Sequence, residues 1–116
     1  NLSQAISDCN ALADDGVNLT DGSSAGDWRL PNVKELQTLI HYGYDDPALP
    51  NTAGTGQWTS GDPFTNVQFL SDDYYWSSTT YVSSTSSAWA VRMRDGRGNG
   101  SNKSTNYYVW PVRSGK

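Results

Sequence analysis

Helical spacing of the apolar residues ends at Gly43 and does not return, and that break constrains the fold more than any other feature of the chain. Before it, Leu2, Ala5, Ile6, Cys9 and Leu12 recur at intervals of three and four. That places one apolar stripe along a helix from Leu2 to Ala13, with Ser3 as its N-cap. Residues 14–27 are polar and turn-rich and read as a loop. Pro31, Asn32 and Glu35 then spell a helix start: a restricted residue before proline, a capping side chain, and a carboxylate three positions on. Val33, Leu36, Leu39 and Ile40 supply its buried face and Gly43 ends it.

Beyond Gly43 the pattern is extended. Residues 44–72 form a long connection punctuated by Pro47, Pro50, Pro63, Gly54, Gly56 and Gly61, with Trp58 and Phe64 expected to pin it. Strand-like runs follow at Tyr74–Ser78, Ala88–Arg94 and Tyr107–Arg113. In the second run Trp89, Val91 and Met93 alternate with Ala90, Arg92 and Arg94. Asp95-Gly96 reads as a tight hairpin turn, and Gly96–Gly100 beyond it as a flexible turn. Helices first and antiparallel strands after make the class α+β.

A chain of 116 residues holds one domain, 1–116. Its start lacks both the basic opening and the apolar stretch of a signal peptide, so it reads as a fragment or terminal domain of a longer protein. Twelve per cent aromatic content excludes disorder, the absence of a long apolar run argues against membrane insertion, and the lone Cys9 excludes a disulfide-stapled miniprotein.

Charge divides the chain. Residues 1–88 carry two basic groups against eleven acidic ones, a net −9, while residues 89–116 carry six basic groups against Asp95, a net +5. The acidic pI of about 4.6 speaks against a nucleic-acid partner. The basic quarter reads in two ways: as charge that blunts a sheet edge, or as a local attraction for an anionic ligand.

Catalytic chemistry is poorly supplied. His41 has no acidic or cysteine neighbour at a metal-like spacing and reads as a surface or capping residue; Cys9, on the apolar stripe, reads as a buried and inert thiol. Asp14-Asp15, Asp45-Asp46 and Asp72-Asp73 read as turn and loop solvation, without a calcium-loop ladder. Ser77 and Ser78 sit in no nucleophile elbow, and Gly96–Gly100 precedes no helix that would make it a phosphate loop. No catalytic residue, metal site or cofactor is assigned.

Binding chemistry is abundant. Tyr and Trp offer rigid faces with polar handles, and the 15 Ser, 10 Thr, 9 Asn and 11 Gly offer adaptable hydrogen bonding. Trp28, Trp76 and Trp89 read as core. Tyr81, Tyr108 and Trp110 stand open between core and ligand surface. With Trp89 inward, Arg92 and Arg94 point outward. On the last run Tyr107, Val109 and Pro111 share one face and Tyr108, Trp110 and Val112 the other.

Three segments carry a family resemblance: Asp27-Trp-Arg-Leu-Pro-Asn-Val-Lys-Glu-Leu36, Tyr75-Trp-Ser-Ser-Thr-Thr-Tyr81, and the run from Ala88-Trp89 through Asp95-Gly96 to Tyr107-Tyr-Val-Trp-Pro-Val-Arg113. Together they resemble the bacterial and archaeal domain typified by the C-terminal domain of the collagen-like adhesin Lcl. The resemblance implies a C-type lectin-like fold, shared with formylglycine-generating enzymes and retroelement variable proteins: two helices on a small twisted sheet with long loops. It implies that Trp28, Arg29, Leu30, Glu35, Trp76 and Trp89 are scaffold, with Arg29 and Glu35 expected as a buried ion pair beneath the second helix. Family members place a second cysteine where Pro111 stands, to pair with one on the first helix, and here Cys9 is alone. The calcium-binding motif of true C-type lectins and the paired cysteines of the formylglycine-generating enzyme are both missing.

The expected function is therefore non-enzymatic recognition, extracellular or at a cell surface, of a glycan (on the family's example a sulfated polysaccharide) or a protein. Tyr81, Arg92, Arg94, Arg97, Asn99, Lys103, Tyr108 and Trp110 are the expected ligand-binding residues. Two alternatives stand beside it. One is a hypervariable ligand-binding protein of a diversity-generating retroelement, suggested by the Ser/Thr/Asn/Tyr/Gly/Asp-rich stretch from Tyr74 onward. The other is a homo-oligomerisation module, a trimer beneath a fibrous stalk.

Overall fold

The computed structural model describes residues 1–70 and 72–113; Lys116, counted above with the basic quarter, lies outside them. The element order is α1 (Leu2–Ala11), β1 (Trp28–Arg29), α2 (Val33–Gln37), β2 (Tyr74–Thr80), β3 (Ser87–Arg92), β4 (Gly98–Asn102) and β5 (Val112–Arg113). The class is α+β, as expected. β2, β3 and β4 make an antiparallel sheet in that order, and β1 pairs with β5 in a second, two-stranded one. No helix among the described residues is long and apolar enough to cross a membrane.

The three-stranded sheet is covered on both faces. Registers Trp76↔Ala90 and Ala90↔Asn99 put Tyr74, Trp76, Ala88 and Ala90 on one face, where they pack with Leu2, Ala5 and Cys9 of α1 and with Leu30. Registers Tyr75↔Val91 and Val91↔Gly98 put Tyr75 and Val91 on the other. There they join Leu36 of α2, Met93, and Leu49, Trp58 and Val67 of the long connection. Each face is an alternating half of the same strands, so a slip of one residue would exchange the two cores.

Helix α1 begins at Leu2 as expected, but its cap differs. Asn1, not Ser3, is the cap: its side chain accepts from the Gln4 amide at 2.9 Å, and the helix ends at Ala11 rather than Ala13. The expected capping box of α2 is present. The Asn32 side chain accepts from Glu35 N at 2.8 Å and Glu35 Oε1 from Asn32 N at 2.9 Å. Yet α2 stops at Gln37, well before Gly43. The Leu39 and Ile40 amides donate to the carbonyls three residues back, and His41 N turns to Ala48 O at 2.8 Å, so the long connection takes over the hydrogen bonding the helix would need to continue.

Register shifts between Trp76 and Thr80, and this bulge ties the sheet to α2. The fully buried Ser77 donates its hydroxyl to Trp89 O at 2.6 Å where the ladder is interrupted. Ser78 N donates to Pro31 O at 2.8 Å, and Val33 N to the Thr79 hydroxyl at 3.0 Å. The C-terminal run is less regular than expected. Only Val112–Arg113 is a strand, and Tyr107–Trp110 lies beside β2 as an extended segment held by Trp76 N to Tyr108 O and Tyr108 N to Tyr74 O, both 3.0 Å.

The region expected as a flexible turn is strand β4. Its three positions facing Trp89, Ala90 and Val91 are Gly100, Asn99 and Gly98, and the Tyr81 ring lies directly over Gly100 where any side chain would stand. Glycine here makes room for an aromatic ring rather than for a turn.

Candidate functional site

The eight expected binding residues fall into three places. At the β3–β4 turn, Arg92, Arg94 and Arg97 come together. Gly96, at φ +79°, lets its amide reach Arg92 O at 2.8 Å, and Arg92 N donates to Arg97 O at 2.9 Å. Arg92 is not the outward cation that alternation suggested. Its side chain is 16% exposed, paired with Asp95 (Nη2–Oδ2 2.6 Å, Nε–Oδ1 3.0 Å), and its guanidinium sits 5.6 Å from the Tyr74 ring centre. That pairing, with the Arg97 amide, holds the Asp95 carboxyl at a pKa of about 2. Arg94 is 40% exposed, with Asp46 Oδ1 3.9 Å from its Nε, and Arg97 is exposed. The usable positive charge of the corner is therefore Arg94 and Arg97.

Lys103 lies at the other end of β4. Its amide donates to Ser86 O and its ammonium approaches the Thr80 hydroxyl at 3.5 Å. Near it Tyr81 stacks on Trp89, with ring centres 4.8 Å apart and planes 13° from parallel. Trp89 is thus half-buried beneath a second ring rather than wholly in the core. Asn99 is half-buried in the middle of β4, donating to Ser101 Oγ at 3.2 Å.

The third place is across the sheet, beyond β2. Tyr108 is 44% exposed and tilts against Tyr75 at 5.7 Å. Trp110 packs edge-on to Phe64 at 4.8 Å and against Tyr75 at 5.5 Å. Here an open groove of about 670 Å³ runs between the loop after α1, β1, the 63–67 loop and the C-terminal segment. Trp28, Phe64, Tyr75 and Trp110 give it aromatic walls, and Thr65 and Asn66 lie on its polar side. Phe64 is 38% exposed in this groove. What pins its loop is its carbonyl, which accepts from the Trp58 indole at 2.9 Å. Trp28, expected in the core, is half-buried in the groove wall with its Nε1 buried and without an acceptor among the described residues.

The sequence missed this groove because its walls come from segments far apart in the chain; the long connection with its Trp and Phe was the one available signal. Titratable groups elsewhere are structural. Burial pushes the Cys9 thiol upward, and three backbone amides at Val17, Leu19 and Asn18 hold Asp15 at a pKa of about 2. His41 accepts from Gly43 N at 3.0 Å. Among the described residues no group of three or more His, Cys, Asp and Glu is placed to hold a metal ion. Arg29 and Glu35 form the expected pair, bidentate at 2.7 and 2.6 Å, but at 46% and 36% exposure it is a surface fork, not a buried one.

A family model described as the Lcl C-terminal domain matches residues 1–113. No curated protein and no solved structure matches the chain.

Proposed function

The chain belongs to the Lcl C-terminal domain family, and on that premise we propose that it is a non-enzymatic recognition domain. It is displayed outside the cell or on its surface and binds a glycan through the strands and loops that follow residue 74. One observation carries the reading. Tyr108 is 44% exposed while its backbone is held on both sides by β2, so a large amphipathic ring is presented to solvent on a fixed frame. Rigid exposed rings bind at little entropic cost, which is the economy a recognition surface needs.

Arg94 and Arg97, at the β3–β4 turn, supply a separate anion-attracting patch, and a sulfated polysaccharide is the ligand class they suit. The acidic remainder of the chain keeps such binding weak and strongly salt-dependent. Heparin titration checks this. Binding should fade on raising salt to about 0.5 M, where screening shortens to roughly 4 Å, and should be lost in the double variant Arg94→Ala/Arg97→Ala. Heparin affinity indifferent to both would remove the cationic corner from the site. Light scattering of the free domain separates a monomeric binder from an oligomerisation module.

A further inference from the structure

We propose that the aromatic groove is a second ligand site, one that takes an uncharged saccharide chain, distinct from the cationic corner at the β3–β4 turn. The proposal rests on the reading of the chain as a recognition domain and names what that domain holds across the sheet from Arg94 and Arg97.

The groove's size falls in the range of small-ligand sites. Its lining carries no Asp, Glu, Lys, Arg or His. Arg113 stands over the Trp28 ring at 5.7 Å but is already paired with Asp21 at 3.0 Å. A sulfate or carboxylate carried into such a place would lose its water and gain no counter-charge, which is heavily unfavourable. An anionic glycan therefore does not belong here.

A purely apolar occupant fits no better. The exposed Asn66 amide and Thr65 hydroxyl have no side-chain hydrogen bond among the described residues. Covering these groups with hydrocarbon would leave them desolvated and unpaired. A sugar meets both demands. Its C–H face lies on the exposed Phe64 ring, which stands edge-on to Trp110, and its hydroxyls bond to Thr65 and Asn66. The Asn66 amide offers a donor and an acceptor on one planar group, which suits two neighbouring hydroxyls.

The test is a titration of the chain with neutral tetrasaccharides of β-1,4-glucose, β-1,4-N-acetylglucosamine, β-1,4-mannose and α-1,4-glucose, followed by calorimetry and by the tryptophan indole N–H resonances. At least one should bind, shift the Trp28 and Trp110 signals, and hold its affinity on raising salt to about 0.5 M. Phe64→Ala should weaken that binding about tenfold, and Thr65→Val, a shape-conserving change on an exposed residue, should weaken it severalfold. Arg94→Ala/Arg97→Ala should leave it unchanged. No binding by any of the four up to about 10 mM, or binding that leaves both indoles unmoved, would overturn the proposal. So would a decaproline peptide that alone shifts those indoles, since the groove would then be a peptide site. Heparin binding by the parent chain is read in parallel: its absence with neutral binding present sinks the cationic corner alone, and the reverse sinks the groove alone.

Discussion

The two faces of the three-stranded sheet are buried by opposite means. On one face a ten-residue helix, capped by Asn1 and tied down by Leu2 N to Lys103 O at 3.0 Å, covers Trp76, Ala88 and Ala90 with regular packing. On the other a helix of five residues supplies Leu36 and Val33, and the long connection supplies Leu49, Trp58 and Val67. That connection has almost no ladder of its own. It is held by separate bonds: Ala48 N to Met93 O, Asp46 N to Arg94 O, Trp58 N to Leu49 O, and the Gln57 amide to the carbonyls of Asp45 and Pro47. A chain poor in aliphatic residues can thus bury a sheet face with irregular backbone, provided that its polar groups are satisfied singly. Such a face can change its loops without disturbing the ladder, which is where binding surfaces arise.

If that comparison is right, truncation should hurt the regular face more. Trp76 is fully buried, with its indole donating to Thr105 O at 3.2 Å. Trp76→Ala should cost about 3–5 kcal/mol in urea unfolding. Leu49→Ala, its counterpart under the irregular face, should cost about 2–3 kcal/mol, because the loop around it can close on the cavity. Equal losses would mean that the long connection is as rigid as α1 and that the two faces do not differ.

A smaller effect tests the rim of the sheet, where Tyr81 covers β4. A methyl group at residue 100 would land on the Tyr81 ring and force it off Trp89. Gly100→Ala should destabilise by about 1–3 kcal/mol and expose Trp89, seen as a red shift in tryptophan emission. Combined with Tyr81→Ala, the same substitution should add almost nothing, because the clash partner is gone. Additive costs would show that Gly100 is required by the strand itself and not by the ring above it.

The difference between the faces also explains what was legible in the sequence. Helix α1's stripe and the capping box at Asn32 and Glu35 are local patterns; the capping box is present as expected and Leu2, Ala5 and Cys9 are buried, but Ile6 is 40% exposed and Leu12 lies past the helix end. The early end of α2 was not legible, because it is set by the distant carbonyl of Ala48. Strand β4 was hidden because its glycines exist to admit Tyr81, a tertiary reason that looks like a turn in one dimension. Of the expected binding residues, exposure of Arg97 followed from type and place, whereas alternation left Tyr108 open between core and surface. The neutralisation of Arg92 by Asp95 was within reach at a spacing of three; the approach of Asp46 to Arg94 and the groove walls were not, since both depend on where the long connection comes to rest.

The smallest expected effect asks how α2, so short, is held on the irregular face at all. Glu35 closes the capping box and grips Arg29, and these bonds lower its carboxyl from 4.5 to about 2, the Arg29 hydrogen bonds contributing most. The fold therefore favours the ionised form. This contribution is complete above about pH 5 and is lost as pH falls toward 2. Because both side chains are more than a third exposed, it amounts to less than about 1 kcal/mol. Glu35→Gln retains an amide able to accept from Asn32 N but removes the charge. Its deficit against the parent chain should be constant from pH 7 to about 5 and should close between about 5 and 2. Asp15 and Asp95 titrate in the same low range in both proteins, so the difference isolates Glu35. A deficit that persists unchanged to pH 2 would mean that geometry alone, not charge, anchors α2 to the sheet.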